Sequence, residues 1–225
     1  MFAVMIQLGS VLAVVWLYRS TFLEVLFGLG SRAHARRFAL MILVAVLPSL
    51  VAGAFLADFI KAVLYESFGV IAASFVLGGV AILAIERLRP VPVVTNAMET
   101  PLGRALAIGV CQTLALVPGV SRAGATIMGA VGLGLSRRAA AEFSFFLAVP
   151  TMTAAFAHDF YEVRSQLTPE RGLEIAVGFV MAFVAAAVVV RPFLSFIGRS
   201  GFAPFAWYRI AAGAALIAAL VAGVL

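Results

Sequence analysis

The chain has 225 residues, of which 64% are apolar and 12% charged, with a mean hydropathy of +1.14, against the roughly half-apolar, quarter-charged make-up of soluble domains. About 144 apolar residues are more than one core of this size can hide, so lipid covers much of the surface and a water-soluble enzyme is excluded. The net charge of +6, from fifteen Arg and one Lys against ten acids, reads as loop charge obeying the positive-inside rule, with no nucleic-acid partner, and the single Cys111 excludes an internal disulfide or a cysteine-based zinc site.

Met1 is followed directly by apolar residues, with no basic stretch and no small-residue cleavage site, so no removable signal is expected. Six apolar runs predict an all-α polytopic membrane protein: Phe2 to Tyr18, Phe38 to Ala57, Gly69 to Ile85, Ala139 to Ala157, Leu173 to Val190 and Pro204 to Leu225. Each is near the length a bilayer demands. Between the third and fourth lies Ala105 to Ser136, a 32-residue stretch whose one charge is Arg122. It is too long for one upright span, too short for two, and interrupted at Pro118-Gly119, which predicts a re-entrant pair of half-helices over 105–136 with its tip near the bilayer midplane.

Counting basic residues sets the orientation. The loop Arg19 to Arg37 holds Arg19, Arg32, Arg36 and Arg37, and the third holds Arg87, Arg89 and Arg104, whereas Asp58 to Phe68 holds only Lys61. The first and third loops are therefore cytoplasmic. A re-entrant 105–136 keeps Arg137, Arg138, Arg191 and Arg199 inside and puts the acidic loop His158 to Gly172 outside; a single crossing would reverse them. Three spans on each side of the pair imply an inverted-topology repeat within one membrane domain, 1–100 and 101–225, whose first unit lacks a re-entrant pair.

Polar groups crowd into the membrane at Val117 to Thr126. An Arg at that depth is expected to face a cavity or a partner. Gly119 and Gly124 permit close backbone approach, a half-helix starting after Pro118 aims its N–H groups and dipole at the tip, and Arg122 adds a fork of donors, which together form an anion cradle. Ser121 and Thr126 are five residues apart, about one and a half turns, so only one lies at the helix mouth unless the first turn is irregular. Gln112 could bond the ligand or join two helices, Glu142 could favour a helix dipole or pair with Arg137, Arg138 or Arg122, and Arg209 with Tyr208 reads as an interfacial anchor.

The run Pro118-Gly119-Val120-Ser121-Arg122-Ala123-Gly124-Ala125-Thr126, followed by Ser136-Arg137, Glu142-Phe143-Ser144-Phe145 and Ala148-Val149-Pro150, resembles the second signature of the undecaprenyl-diphosphate phosphatase family, bacitracin-resistance type. The stretches Ile6-Gln7-Leu8-Gly9-Ser10-Val11-Leu12-Ala13-Val14-Val15 and Pro204-Phe205-Ala206-Trp207-Tyr208-Arg209 agree with it. The resemblance implies a multi-pass protein of the bacterial inner membrane, hydrolysing undecaprenyl diphosphate to the monophosphate that carries cell-wall precursors. It also implies a site open to the outer face and help from a divalent cation, Mg or Ca, whose ligands this chain does not identify. Ser121 and Arg122 would be catalytic, with Gly119, Gly124, Thr126 and Gln112 as substrate contacts and Glu142 as a minor candidate. The partners are the polyprenyl diphosphate and membrane lipid, and a homo-oligomer is left open.

The family's earlier signature, two glutamates followed by a Ser-rich turn ending in His, has no counterpart here, and the asymmetric repeat points to the same gap, so a unit of roughly 40 to 50 residues is expected ahead of Met1. Two other readings stay open: a lipid or anion transporter built on the inverted repeat, and an inactive truncated homologue.

Overall fold

A computed structural model of the chain describes residues 2–63, 67–163 and 169–224. These residues are helical almost throughout: α1 (Phe2–Leu17), α2 (Arg19–Gly28), α3 (Ala33–Val63), α4 (Phe68–Leu88), α5 (Leu102–Thr113), α6 (Arg122–Gly132), α7 (Arg137–Val163), α8 (Pro169–Ser200) and α9 (Ala203–Val221). Short 3₁₀ turns occupy Ala97–Glu99 and Leu114–Leu116. Five stretches are long and apolar enough to cross a bilayer: Ala33–Leu56, Phe68–Leu88, Arg137–His158, Gly172–Ser200 and Ala203–Val221. The protein is thus an all-α polytopic membrane protein, with a sixth span if α1 and α2 count as one despite the 77° bend between them.

The helices outrun the apolar runs that predict them. The expected loop from Arg19 to Arg37 is helical over Arg19–Gly28, because Phe22, Leu23, Val25, Leu26 and Phe27 continue the apolar character beyond the kink. Arg19 closes that kink, donating to the Trp16 carbonyl at 3.1 Å and lying over the Trp16 ring. Helix α3 likewise continues past Ala57 to Val63, and α7 past Ala157 to Val163. Of the two outer loops expected, residues 64–66 and 164–168 lie outside the described residues.

The chain forms two compact units whose boundaries fall at residues 42, 144 and 195. In the unit made of Met1–Ile42 and Phe145–Ser195, Phe146 is the centre of an aromatic cluster, meeting Tyr18, Phe22 and Phe38 edge to face at 5.1, 5.8 and 5.3 Å. The close approach of α1 to α8 leaves no space for a side chain at Gly9, where a Cβ would stand 2.2 Å from the Phe179 carbonyl oxygen.

The other unit, Leu43–Ser144 with Phe196–Leu225, positions the site. Here α4 and α9 run antiparallel with their backbones close: Gly79 faces the Ala206 carbonyl and Gly213 the Ala72 carbonyl. Helix α5 lies on α3 at Gly109, against the Ala45 carbonyl, and α6 lies on α5 where Gly129 meets Cys111. The stretch between Val94 and Leu135 returns to its starting point. Val93 N–H donates to the Gly134 carbonyl at 2.8 Å, Ser136 N–H donates to the Val94 carbonyl at 2.8 Å, and Val94 and Leu135 form an isolated parallel bridge. Two short helices, α5 and α6, thus form a hairpin closed at its base and interrupted at the Pro-Gly step.

Candidate functional site

The hairpin turns at its tip in an irregular loop. Helix α5 ends at Thr113, the 3₁₀ turn tightens the chain through Leu116, and a turn at Pro118-Gly119, closed by Val120 N–H donating to the Val117 carbonyl at 3.0 Å, leads to α6, which begins at Arg122 and not directly after Pro118. Gly119 sits in the middle with φ +84°, pressed so close to α4 that a Cβ would lie 2.8 Å from the Ile71 carbonyl oxygen. Ser121 is the N-cap of α6: its Oγ accepts from Gly124 N–H at 3.1 Å, while the hydroxyl proton is left to donate outward. Gly124 carries no side chain there, and a Cβ would crowd Ser121 at 3.1 Å. The first-turn amides and the positive end of the α6 dipole therefore face the tip, as an anion site requires.

Two arginines stand at this turn. Arg122, the first residue of α6, has its Nη1 withdrawn from solvent without a hydrogen-bond partner among the described residues. Arg209, two turns into α9, reaches across so that its Nη2 donates to the carbonyls of Gly119 at 2.9 Å and Ser74 at 3.0 Å. Its guanidinium also lies 4.7 Å from the centre of the Phe75 ring, and its Nε is buried without a partner among the described residues. Sequence reading took Arg209 for an interfacial anchor. The signal it missed is that Arg209 is the one charged residue of α9, and an ionisable group inside a span defaults to function.

Beside the tip is a cavity of about 360 Å³, walled by α4, α5 and α6, with Ser74, Ser121 and Arg209 as its polar groups and Ile82, Ile85, Val117 and Met128 among its apolar ones. It has the mixed character that an amphipathic ligand needs.

The remaining candidates lie elsewhere. Thr126 is fully buried, and its Oγ1 donates to the Arg122 carbonyl at 2.8 Å, one turn back in its own helix, and lies 3.4 Å from Gln112 Oε1. Gln112, 3% exposed, donates through Nε2 to Ser49 Oγ at 2.7 Å, and Ser49 donates in turn to the Val46 carbonyl. These side chains form a polar chain joining α6, α5 and α3, so at the tip it is Ser121, not Thr126, that occupies the helix mouth. Glu142 accepts from Arg138 at 3.0 Å, one turn apart on α7. The structure thus brings together Gly119, Ser121, Arg122 and Gly124 with Arg209 and Ser74, and sets Thr126 and Gln112 behind them.

The expected divalent cation does not match these donors. Among the described residues no three His, Cys, Asp or Glu side chains are grouped to hold a metal. The turn presents guanidinium, amide N–H and hydroxyl donors, which attract an anion, and its carbonyl oxygens come without the carboxylates that a hard divalent cation takes beside them.

Known proteins resemble this chain over nearly its whole length. The family model described as bacitracin resistance protein BacA matches residues 1–215. An undecaprenyl-diphosphatase of Cereibacter sphaeroides is 50% identical over 222 residues, covering 99% of this chain and 83% of that protein. Undecaprenyl-diphosphatase 1 of Agrobacterium fabrum is 48% identical over 223 residues, again 99% of this chain and 83% of that protein. The undecaprenyl-diphosphatase of Phenylobacterium zucineum is 50% identical over 213 residues, 95% and 80% of the two chains. With a family model matching nearly its whole length and relatives at about half identity, this chain belongs to the BacA family of bacitracin resistance proteins.

Proposed function

We propose that the chain hydrolyses undecaprenyl diphosphate to undecaprenyl phosphate and inorganic phosphate, recycling the lipid carrier of cell-wall synthesis. The observation that carries this reading is the tip of the hairpin, where the N-terminus of α6, whose first residue is Arg122, the Ser121 hydroxyl and the Arg209 guanidinium meet beside an apolar cavity. A phosphoryl group is satisfied by such donors, and the cavity beside them is apolar enough for an isoprenoid.

In the reaction a water oxygen attacks the terminal phosphorus, and the bridging P–O bond breaks with its electron pair on the monoester oxygen. The water's protons end on phosphate or solvent. Arg122 and Arg209 counter the charge that develops on the phosphoryl oxygens, the first-turn amides of α6 hold them, and Ser121 donates its hydroxyl proton. The supported role of these residues is the binding and charge-stabilising half of the chemistry.

An opening toward the outer face is supported by the charges at the hairpin base. Arg87 lies in the last turn of α4 and Arg89 follows it, Arg104 lies in the first turn of α5, and Arg137 and Arg138 begin α7, which supports a cytoplasmic base. The 11 residues of α6 span about 16 Å, half of a roughly 30 Å core, so the tip stands near the midplane and faces outward.

Arg122→Ala is the test: phosphate release from undecaprenyl diphosphate in detergent should fall about 10²- to 10³-fold, the usual loss for one transition-state donor. Unchanged release sinks the assignment. Movement of labelled lipid across liposomes by the wild type without phosphate release would favour a transporter instead.

A further inference from the structure

At the base of the same unit, Glu86 of α4 is the centre of a second cluster that the proposed chemistry does not use. Its Oε1 accepts from Arg137 Nε at 3.0 Å and from Phe202 N–H at 3.1 Å, and its Oε2 accepts from Arg137 Nη2 at 2.5 Å. Arg89 Nε stands 3.9 Å away. Arg137 lies flat against the turn before α9, where a Cβ at Gly201 would be 2.6 Å from its Nη2. One largely buried carboxylate thus ties the end of α4 to the start of α7 and to the first turn of α9.

We propose that Glu86 is a positioning residue: by holding Phe202 N–H it sets the register of α9 on α4 that lets Arg209 reach the tip. The inference rests on the reading of Arg209 as part of the site. The contacts of Gly79 with the Ala206 carbonyl and of Gly213 with the Ala72 carbonyl set Arg209 beside the middle of α4, where its guanidinium lies against Gly78, a Cβ there being 2.7 Å from Nη2, and where Nη2 bonds the carbonyls of Ser74 and Gly119. A slip of one residue, about 1.5 Å, would stretch contacts of 2.9 and 3.0 Å beyond hydrogen-bond range. The small faces at Gly79 and Gly213 let α9 lie close against α4, and the bond from Phe202 holds its start at the height of Glu86.

A double-mutant cycle tests this. Glu86→Ala should lower kcat/KM for undecaprenyl diphosphate toward the level of Arg209→Ala, about 10²-fold, mainly through kcat, and should add nothing when Arg209 is already Ala. Losses that multiply in the double variant would make Glu86 merely structural and overturn the proposal. Should Glu86→Ala fail to fold, two milder variants decide. Glu86→Gln keeps an acceptor at the right reach for Phe202, and Glu86→Asp keeps the charge but falls short, so Gln should be the more active of the two; the reverse order refutes the register argument. Hydrogen exchange in detergent supplies an arm independent of turnover. The Val120 and Gly124 amides should exchange faster in the Glu86 and Arg209 variants alike. Faster exchange in Arg209→Ala with none in the impaired Glu86 variants overturns the proposal. If instead the wild type releases no phosphate, the proposed function fails and the exchange arm alone decides the positioning role.

Discussion

Gly119→Ala perturbs the tip without removing a functional group. Two effects add. An alanine at φ +84° sits in the left-handed region, a cost of roughly 1 to 2 kcal/mol. Its Cβ would also lie 2.8 Å from the Ile71 carbonyl oxygen and 3.0 Å from Ile71 Cα and Ser74 Cβ, all on α4. A helix backbone yields little, so overpacking adds about 1 to 3 kcal/mol. The sum, about 2 to 5 kcal/mol, exceeds what the turn can absorb in place, and the relief available is to lift the turn away from α4. That motion breaks the bond between the Gly119 carbonyl and Arg209.

Gly134→Ala is the matched control. Gly134 has a similar φ of +88°, but it lies at the hairpin base, where a Cβ would meet the Val93 side chain at 3.2 Å and no backbone within 4 Å. Thermal unfolding in one detergent, read beside phosphate release, separates the effects. Both variants should melt lower, and Gly119→Ala should lose at least about tenfold more kcat/KM than Gly134→Ala, the equivalent of 1.4 kcal/mol in the transition state. Equal losses of activity in the two variants would refute the claim that the tip's contact with α4 and Arg209 matters to the reaction.

Ser121→Asp keeps a good N-cap for α6 but sets a negative charge where the diphosphate is proposed to bind. Melting should stay within about 0.5 kcal/mol of wild type while KM rises more than tenfold, and a normal KM would rule out an anion at the cap. Thr126→Val removes a hydroxyl whose described bonds run to the Arg122 carbonyl and Gln112. It should lower stability by about 1 kcal/mol with KM unchanged, and a large rise in KM would return Thr126 to the substrate contacts.

What the sequence made legible follows from how local each signal is. Hydropathy over some twenty residues identifies spans because lipid acts on each helix separately, and Pro118-Gly119 marks the break because no other residues are needed to stop a helix there. Ser121 at the helix mouth is local for the same reason. The roles of Thr126 and Gln112 are not, because they depend on Ser49, 63 residues from Gln112 along the chain. Arg209 depends on the antiparallel register of α4 and α9, set by close glycine contacts and by Glu86, which no periodicity in α9 reveals. The helical continuation at Arg19 was hidden by the charges used to place a loop there, since a basic residue marks the membrane's edge without stopping a helix.

Arg122 joins the legible part to the rest. Burying a guanidinium without a partner is unfavourable, and the described residues offer its Nη1 none. Thr126, the nearest polar side chain in its own helix, turns its hydroxyl to the Arg122 carbonyl and not to the guanidinium. A site that leaves a cation uncompensated stores a demand that an arriving phosphoryl oxygen meets, so affinity at the tip and stability of the empty fold pull in opposite directions. Arg122→Ala should therefore melt no lower than wild type in the absence of ligand even as phosphate release falls. Added inorganic diphosphate should raise the melting temperature of the wild type and not of the variant, following the linkage between ligand binding and unfolding. A variant that melts several degrees lower without ligand, yet gains as much from diphosphate, would mean that Arg122 holds the fold together and that the anion binds elsewhere.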